Sequence, residues 1–204
     1  MTNNLINTFG NIDIYLFDQL LKGRFDDCKA ILDVGCGGGR NIHYFLKNGF
    51  DVHGIDLNAE AIVSVKEMAQ QLAPQIPSGN FVVAKADELP YVDGAFDLVI
   101  SSAVLHFANN TDHFEQMLYE AWRVLRSGGF FFARLASDIG IEGLVGSIGN
   151  GRYLLPDGSE RYLVTYDDLV YYTRELNGEL FEPIKTTNVS NLRAMTTWCM
   201  RKIQ

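Results

Sequence analysis

Ala30-Ile31-Leu32-Asp33-Val34-Gly35-Cys36-Gly37-Gly38-Gly39 runs from a short apolar stretch straight into a glycine cluster. Such a run reads as a buried strand that turns sharply at its carboxyl end. Arg40 to Lys47 then reads as helix, with Ile42, Phe45 and Leu46 on one stripe. Working outward, the unit repeats. Phe50 to Ile55 is a second strand, and Asn58 caps a helix running to Leu72. Phe81 to Ala84 is a third strand and Phe96 to Ser101 a fourth. A helix from Thr111 to Leu125 carries Phe114, Met117, Leu118, Ala121 and Leu125 on one face. Ser127-Gly128-Gly129 is expected to stop it before a fifth strand, Phe130 to Leu135. Strands alternating with helices require crossover connections and a mostly parallel sheet covered on both faces.

The ends of the chain differ from this middle. Phe9 to Phe25 reads as one amphipathic helix through Ile14, Phe17, Leu20 and Leu21. Ala136 to Val164 shows little periodicity and contains Gly140, Gly143, Gly146, Gly149 and Gly151, so it reads as a long structureless segment of the kind used for lids or binding. Thr165 and Asp168 have capping-box spacing for a helix through Leu176. Leu180 to Thr187 and Ala194 to Lys202, joined by Asn188-Val189-Ser190-Asn191, read as an antiparallel pair. The expected fold is α/β: a doubly wound, seven-stranded, mostly parallel sheet whose last strand is antiparallel. One domain is expected over 1–204, with a helical cover (1–28), a ligand-binding core (29–135), an insertion (136–164) and a C-terminal helix with the strand pair (165–204).

Composition narrows the function. Hydrophobic residues are 47% of the 204 and charged residues 21%, which excludes a disordered chain. No apolar run approaches the roughly 18 residues that span a bilayer, and the first twenty residues lack a basic stretch followed by an apolar one. Secretion and membrane insertion are therefore not expected. Cys28, Cys36 and Cys199 cannot all pair and lack metal-ligand spacing, so free thiols in the cytoplasm and no metal site are expected. A net charge of −8 repels polyanions, which favours a small-molecule partner over nucleic acid. Nothing in the sequence specifies an oligomeric state.

The glycine cluster lies where open parallel sheets bind their ligands, beyond the carboxyl ends of the strands. Arg40 stands where the dinucleotide pattern G-x-G-x-x-G needs a third small residue, and no Gly-Lys-Ser/Thr follows to hold a triphosphate. Two acids come next. Asp56 closes the second strand about twenty residues on, where a carboxylate accepts both ribose hydroxyls. Asp87, in Ala86-Asp87-Glu88-Leu89-Pro90, follows the third strand and can accept from an adenine amino group.

Taken in order, the loop, Asp56, Asp87 and Phe96-Asp97-Leu98-Val99-Ile100-Ser101 resemble the class I S-adenosylmethionine-dependent methyltransferases. The resemblance covers about Ile31 to Leu135 and, more loosely, the terminal strand pair. It implies S-adenosylmethionine as cofactor, S-adenosylhomocysteine as product and a small-molecule methyl acceptor attacked in line. It implies that Gly35, Cys36 and Gly37 line the methionine and ribose, with Asp33 orienting the loop and reaching the ammonium through water. Asp56 and Leu57 then hold the ribose, Ala86, Asp87 and Glu88 sit at the adenine, and Ser101 lies near the methionine carboxylate or the sulfonium. Arg24 or Arg40 is available to balance that carboxylate. Asp97 enters its strand at the far end and reads as structural.

The acceptor side is less marked. His106 in Val104-Leu105-His106-Phe107 is the best-placed general base, with passive packing as the competing reading. Tyr15, Arg134, Arg152, Tyr153 and Arg161 are candidate acceptor residues, because Arg clamps anions bidentately and Tyr walls a closed pocket. The strand-four sequel Ser101-Ser102-Ala103-Val104 lacks the Asn/Asp-Pro-Pro-Tyr/Phe of nucleic-acid amino-methylating members, and no Pro-Cys nucleophile is present. Asp157-Gly158-Ser159-Glu160-Arg161-Tyr162 is faintly similar to the corresponding segment of tellurite-resistance-type methyltransferases. Two other readings share the loop and acids: an NAD(P)-dependent oxidoreductase, and a non-catalytic S-adenosylmethionine-binding protein.

Overall fold

A computed structural model describes residues 2–203. Residues 1 and 204, the outer bounds of the expected domain, lie outside it. The N-terminal segment is two helices, α1 (Thr2–Phe9) and α2 (Ile14–Leu21), where one was expected. The break comes at Gly10, which takes a left-handed φ of 61°, and at Asp13, whose carboxylate accepts from Tyr15 N–H and restarts the helix.

The core follows as β1 (Ala30–Val34), α3 (His43–Lys47), β2 (Asp51–Asp56), α4 (Ala59–Leu72), β3 (Phe81–Val83), β4 (Phe96–Ser102) and α5 (Thr111–Val124). α3 starts later than expected because the chain turns through Cys36–Gly39 and Gly39–Ile42 hydrogen bonds before it can wind. Asn58 caps α4 by accepting from Glu60 N–H. β5 (Leu125–Ser137) begins directly after α5, and Ser127-Gly128-Gly129 lies inside the strand instead of separating helix from strand. Gly129 permits this: a Cβ there would stand 2.9 Å from Arg126 O and 3.0 Å from Asp97 O, where β4 and β5 shift register.

The 136–164 segment is ordered, not structureless. It forms a three-stranded antiparallel sheet, β6 (Gly146–Gly149), β7 (Arg152–Leu154) and β8 (Glu160–Tyr162). Asn150-Gly151 makes the first turn with φ of 57° and 75°, the two-residue geometry that matches strand twist. Strands of three or four residues are too short to display alternation, so only this Asn-Gly pair signals them.

α6 (Tyr166–Glu175) carries the full Thr165–Asp168 capping box. β9 (Gly178–Leu180), β10 (Lys185–Val189) and β11 (Arg193–Lys202) complete the main sheet, ordered β10-β11-β5-β4-β1-β2-β3. β1 to β5 pair in parallel, and β11 is antiparallel to both β5 and β10. The expected strand Leu180–Thr187 is broken: β9 and β10 share one edge of β11, interrupted around Pro183, which has no N–H to donate. Residue parity assigns the two faces. Leu32, Val99, Phe131 and Trp198 pack toward α5 and α6, while Ile31, Leu98, Ile100 and Phe132 pack toward α2, α3 and α4. No helix among the described residues is long and apolar enough to cross a membrane.

Candidate functional site

Three cavities lie in a row beyond the carboxyl ends of the parallel strands. The first, about 580 Å³, runs from Gly35 past Asp56, Leu57, Ala86 and Asp87 to Val104 and Phe107. The second, about 360 Å³, is bounded by Gly10, Cys36, Gly37, Gly38, Arg40 and Ser102. The third, about 260 Å³, lies under the three-stranded sheet. Gly35 borders the first two, and Ala103 borders the first and third.

Between β1 and α3 the wall is main chain. Gly35 has φ of 70°, and a Cβ there would collide with Val104 Cγ2. Gly37, at φ 51°, would meet nothing within 4 Å, so the space above it is open to a ligand. The Cys36 side chain turns down against Gly54 in the core, leaving only its backbone at the second cavity.

The acids differ in their surroundings. Asp56 ends β2 with Oδ2 accepting from Gly37 N–H at 2.8 Å and Oδ1 from Asn58 N–H at 2.8 Å. Each oxygen keeps acceptor capacity toward the first cavity. Asp87 faces His113 Nε2 at 3.5 Å, and the Nδ1 of that ring accepts from Asn109 N–H. Leu57 is 69% exposed at the rim of the same cavity. Asp33 is 1% exposed beneath the loop, and neither carboxylate oxygen has a hydrogen-bond partner. Burial pushes its carboxyl up to about 8, against the opposing pull of Arg40.

Two positions depart from the expected set. Glu88 is exposed and borders none of the three cavities; Lys85, Ala86 and Asp87 take that wall. Ser101 is 1% exposed with an unpartnered hydroxyl, and its neighbour Ser102 borders the second cavity. Successive strand residues point to opposite faces, so a one-residue displacement moves the side chain away from the ligand side. Asp97 is structural, accepting from Lys29 and Ala30 N–H at 2.8 Å each.

Arg40 reaches Ser102 Oγ at 3.3 Å and Asp13 Oδ2 at 3.6 Å, whereas Arg24 lies 3.8 Å from Glu182, away from the cavities. Asp13 also pairs with Arg134 at 3.0 Å. That buried carboxylate therefore joins the second cavity to the third, a link between sequence-distant residues that no local pattern announces. Tyr15 lies beneath the Arg134 guanidinium and hydrogen-bonds Thr187, and it borders none of the cavities.

The third cavity gathers His106, Arg134, Asp157, Arg161 and Arg193. Arg193 was not foreseen, and Asp157 was read only as part of the segment Asp157 to Tyr162. Arg152 instead pairs with Glu160 at 3.2 Å, and Tyr153 packs with Ala136, Leu155 and Leu163, so neither borders the cavity. Along β7 and β8 the registered pair Tyr153 and Arg161 faces one way, Arg152 the other. His106 is 5% exposed, and its Nδ1 accepts from Ala136 N–H at 3.1 Å. The proton of the neutral ring is thus on Nε2. Burial, with Arg161 and Arg134 nearby, lowers its pKa to about 4. A ring in that state donates a hydrogen bond and is poorly suited to accept a proton as a base. At the junction of the first and third cavities, Ala103 holds a left-handed φ of 65° and donates to Arg134 O at 2.7 Å. Backbone strain of this kind, about 1–3 kcal/mol, gathers at functional sites.

Comparison with known proteins fits this geometry. The family model described as "Methyltransferase domain" matches residues 32–133. A segment of 103 residues, 50% of this chain, is 32% identical to an uncharacterized methyltransferase of Synechocystis sp., covering 45% of that protein. A malonyl-[acyl-carrier protein] O-methyltransferase of Enterobacter lignolyticus is 32% identical over 109 residues, 53% of this chain and 39% of that one. The chain therefore spans less than half the length of these two curated relatives. Among solved structures, the Burkholderia thailandensis 1,6-didemethyltoxoflavin-N1-methyltransferase, with S-adenosylhomocysteine bound, superposes with a TM-score of 0.67. It is 21% identical, covering 91% of this chain and 76% of that one, and shares the fold.

Proposed function

With residues 32–133 matching its model, the chain belongs to the methyltransferase domain family, and from that premise we propose that it carries a methyl group from S-adenosylmethionine to a small-molecule acceptor. The observation that carries this reading is the bare rim: open main chain at Gly37 directly beside an Asp56 carboxylate with acceptor capacity to spare. The buried carboxyl of Asp33 under the same loop has no hydrogen-bond partner for either oxygen, which supports a ligand whose ammonium would favour its ionised form. Bound S-adenosylmethionine supplies a methyl group already activated on a sulfonium.

The residues then divide the work. Asp56 accepts the ribose hydroxyls while Gly37 and Asn58 N–H keep its oxygens fixed. Asp87 accepts from the adenine amino group, and Leu57, Val104 and Phe107 close the nucleoside away from water. Arg40, with Ser102 beside it, balances the methionine carboxylate. With the donor held this way, the barrier falls through alignment and exclusion of water. His106 works as an Nε2–H donor toward the acceptor, replacing the base role expected of it.

In this reading the acceptor occupies the third cavity, which Arg134, Arg161 and Arg193 border. The three cysteines are unpaired, in keeping with a cytoplasmic enzyme. A net charge of −8 supports a small molecule over nucleic acid.

Calorimetry with S-adenosylmethionine, S-adenosylhomocysteine and NAD tests the cofactor. Both methionine derivatives are expected to bind; binding of NAD alone overturns the proposal in favour of the oxidoreductase. Transfer of isotopically labelled methyl to an acceptor panel, read by mass, separates an enzyme from a non-catalytic binder.

A further inference from the structure

We infer that the third cavity recognises the carboxylate of an organic acid, through Arg161 with the Nε2–H of His106. This rests on the methyltransferase reading and names its acceptor class. The argument starts from charge. Three guanidinium groups border the cavity, and Asp157 is the one carboxylate there among the described residues.

Two of the arginines are already matched. Arg134 pairs with buried Asp13 at 3.0 Å, and Arg193 stands 3.7 Å from Asp157, whose Oδ1 is held by Ser159 N–H at 2.9 Å and Ser159 Oγ at 2.6 Å. Arg161 gives one hydrogen bond to the main-chain oxygen of Glu160 and lies over the Phe107 ring at 4.9 Å, with no carboxylate within ion-pair distance among the described residues. His106 is neutral, because its Nδ1 is committed to Ala136 N–H inside a buried shell. The balance leaves one positive charge and one imidazole donor. That complements a monoanion, a carboxylate, better than a dianionic phosphomonoester.

Apart from Ser159, which is held to Asp157, the rest of the wall is apolar. Leu155, Val189 and Met195 suit a hydrocarbon body attached to the acid. Because Ala103 borders both this cavity and the first, an acceptor anchored at Arg161 points its other end toward the donor. The stacking of Arg161 on Phe107, which itself borders the first cavity, holds the guanidinium in place before the acceptor arrives.

The test uses benzoate, benzamide and phenyl phosphate, titrated into the protein with and without S-adenosylhomocysteine. Benzoate is expected to bind about tenfold or more tightly than either analogue. Arg161→Gln is expected to remove about tenfold of that affinity while leaving benzamide and S-adenosylhomocysteine binding unchanged. Arg152→Gln, on the same small sheet but off the cavity, is expected to change none of them. Equal binding of benzoate and benzamide, or benzoate affinity that survives Arg161→Gln in a folded variant, overturns the inference. Preference for phenyl phosphate overturns the choice of a carboxylate. Failure of S-adenosylhomocysteine to bind sinks the cofactor reading instead, and the titrations without it still judge the anion site.

Discussion

The glycine-loop rim and the arginine wall face each other across Ala103 and are built in opposite ways. At the rim, residues 35–38 border the cavity within a single turn, and Asp56 is tied to them by Gly37 N–H. The wall draws its polar groups from the turn after β4, from β5, from the β7–β8 connection, from β8 and from β11. A main-chain rim fixes a ligand shape through φ angles, and it tolerates almost no side-chain change. A side-chain wall is exchanged residue by residue, and a fold that keeps its donor constant can vary its acceptor there. The two regions should therefore fail differently when mutated.

The largest expected effect is at the rim. Gly35→Val forces a branched side chain into a left-handed φ and against Val104, costing about 2–4 kcal/mol of stability. Chemical denaturation reads the loss, and calorimetry should find no S-adenosylhomocysteine binding. A stable variant that still binds would remove the backbone argument for the rim. Asp56→Ala should weaken that ligand by about 1.5–3 kcal/mol, through lost charged hydrogen bonds. An unchanged dissociation constant in a folded protein contradicts its role.

The wall gives smaller and more separable effects. His106→Ala leaves Ala136 N–H without its partner, at a cost of about 1–3 kcal/mol. It should lower turnover while sparing cofactor affinity, and it should leave the acidic limb of the rate profile in place, since no base is removed. The same histidine predicts a pH signature. Its folded pKa, about 4, lies below its usual 6.5, so the unfolded chain takes up the proton first as pH falls. The stability that neutral His106 contributes is complete above pH 6.5 and is lost progressively down to about pH 4. Denaturation curves across that window should be steeper in pH for the wild type than for His106→Ala; parallel curves would contradict the buried neutral ring. Smallest is Arg152→Ala. Its partly exposed pair with Glu160 should be worth less than about 1 kcal/mol, and the Michaelis constant for the acceptor should not move. A large rise in that constant would return Arg152 to the wall.

Legibility followed the same division. β1, the glycine loop, Asp56, the α4 cap at Asn58 and the Thr165–Asp168 box could be read directly, because each is decided by neighbours within a few residues. Errors arose where a long-range contact overrode a local cue. Ser127-Gly128-Gly129 has the composition of a helix stop, yet pairing with β4 draws it into β5. Ser101 and Ser102 are interchangeable by composition, and only the sheet register decides which of them borders the second cavity. The Asn150-Gly151 turn was a readable hairpin signal that the surrounding glycines obscured.

By itself, the sequence determined the alternating strands and helices, the antiparallel end and the bare loop followed by its two acids. These are local consequences of periodicity, capping and glycine content. Only the tertiary structure decided that Arg193 joins Arg161 and His106 at the third cavity, that Arg152 does not, and that His106 commits its buried Nδ1 to Ala136 N–H. Each of those depends on which residues, far apart along the chain, are brought together by strand pairing, and on the burial that results.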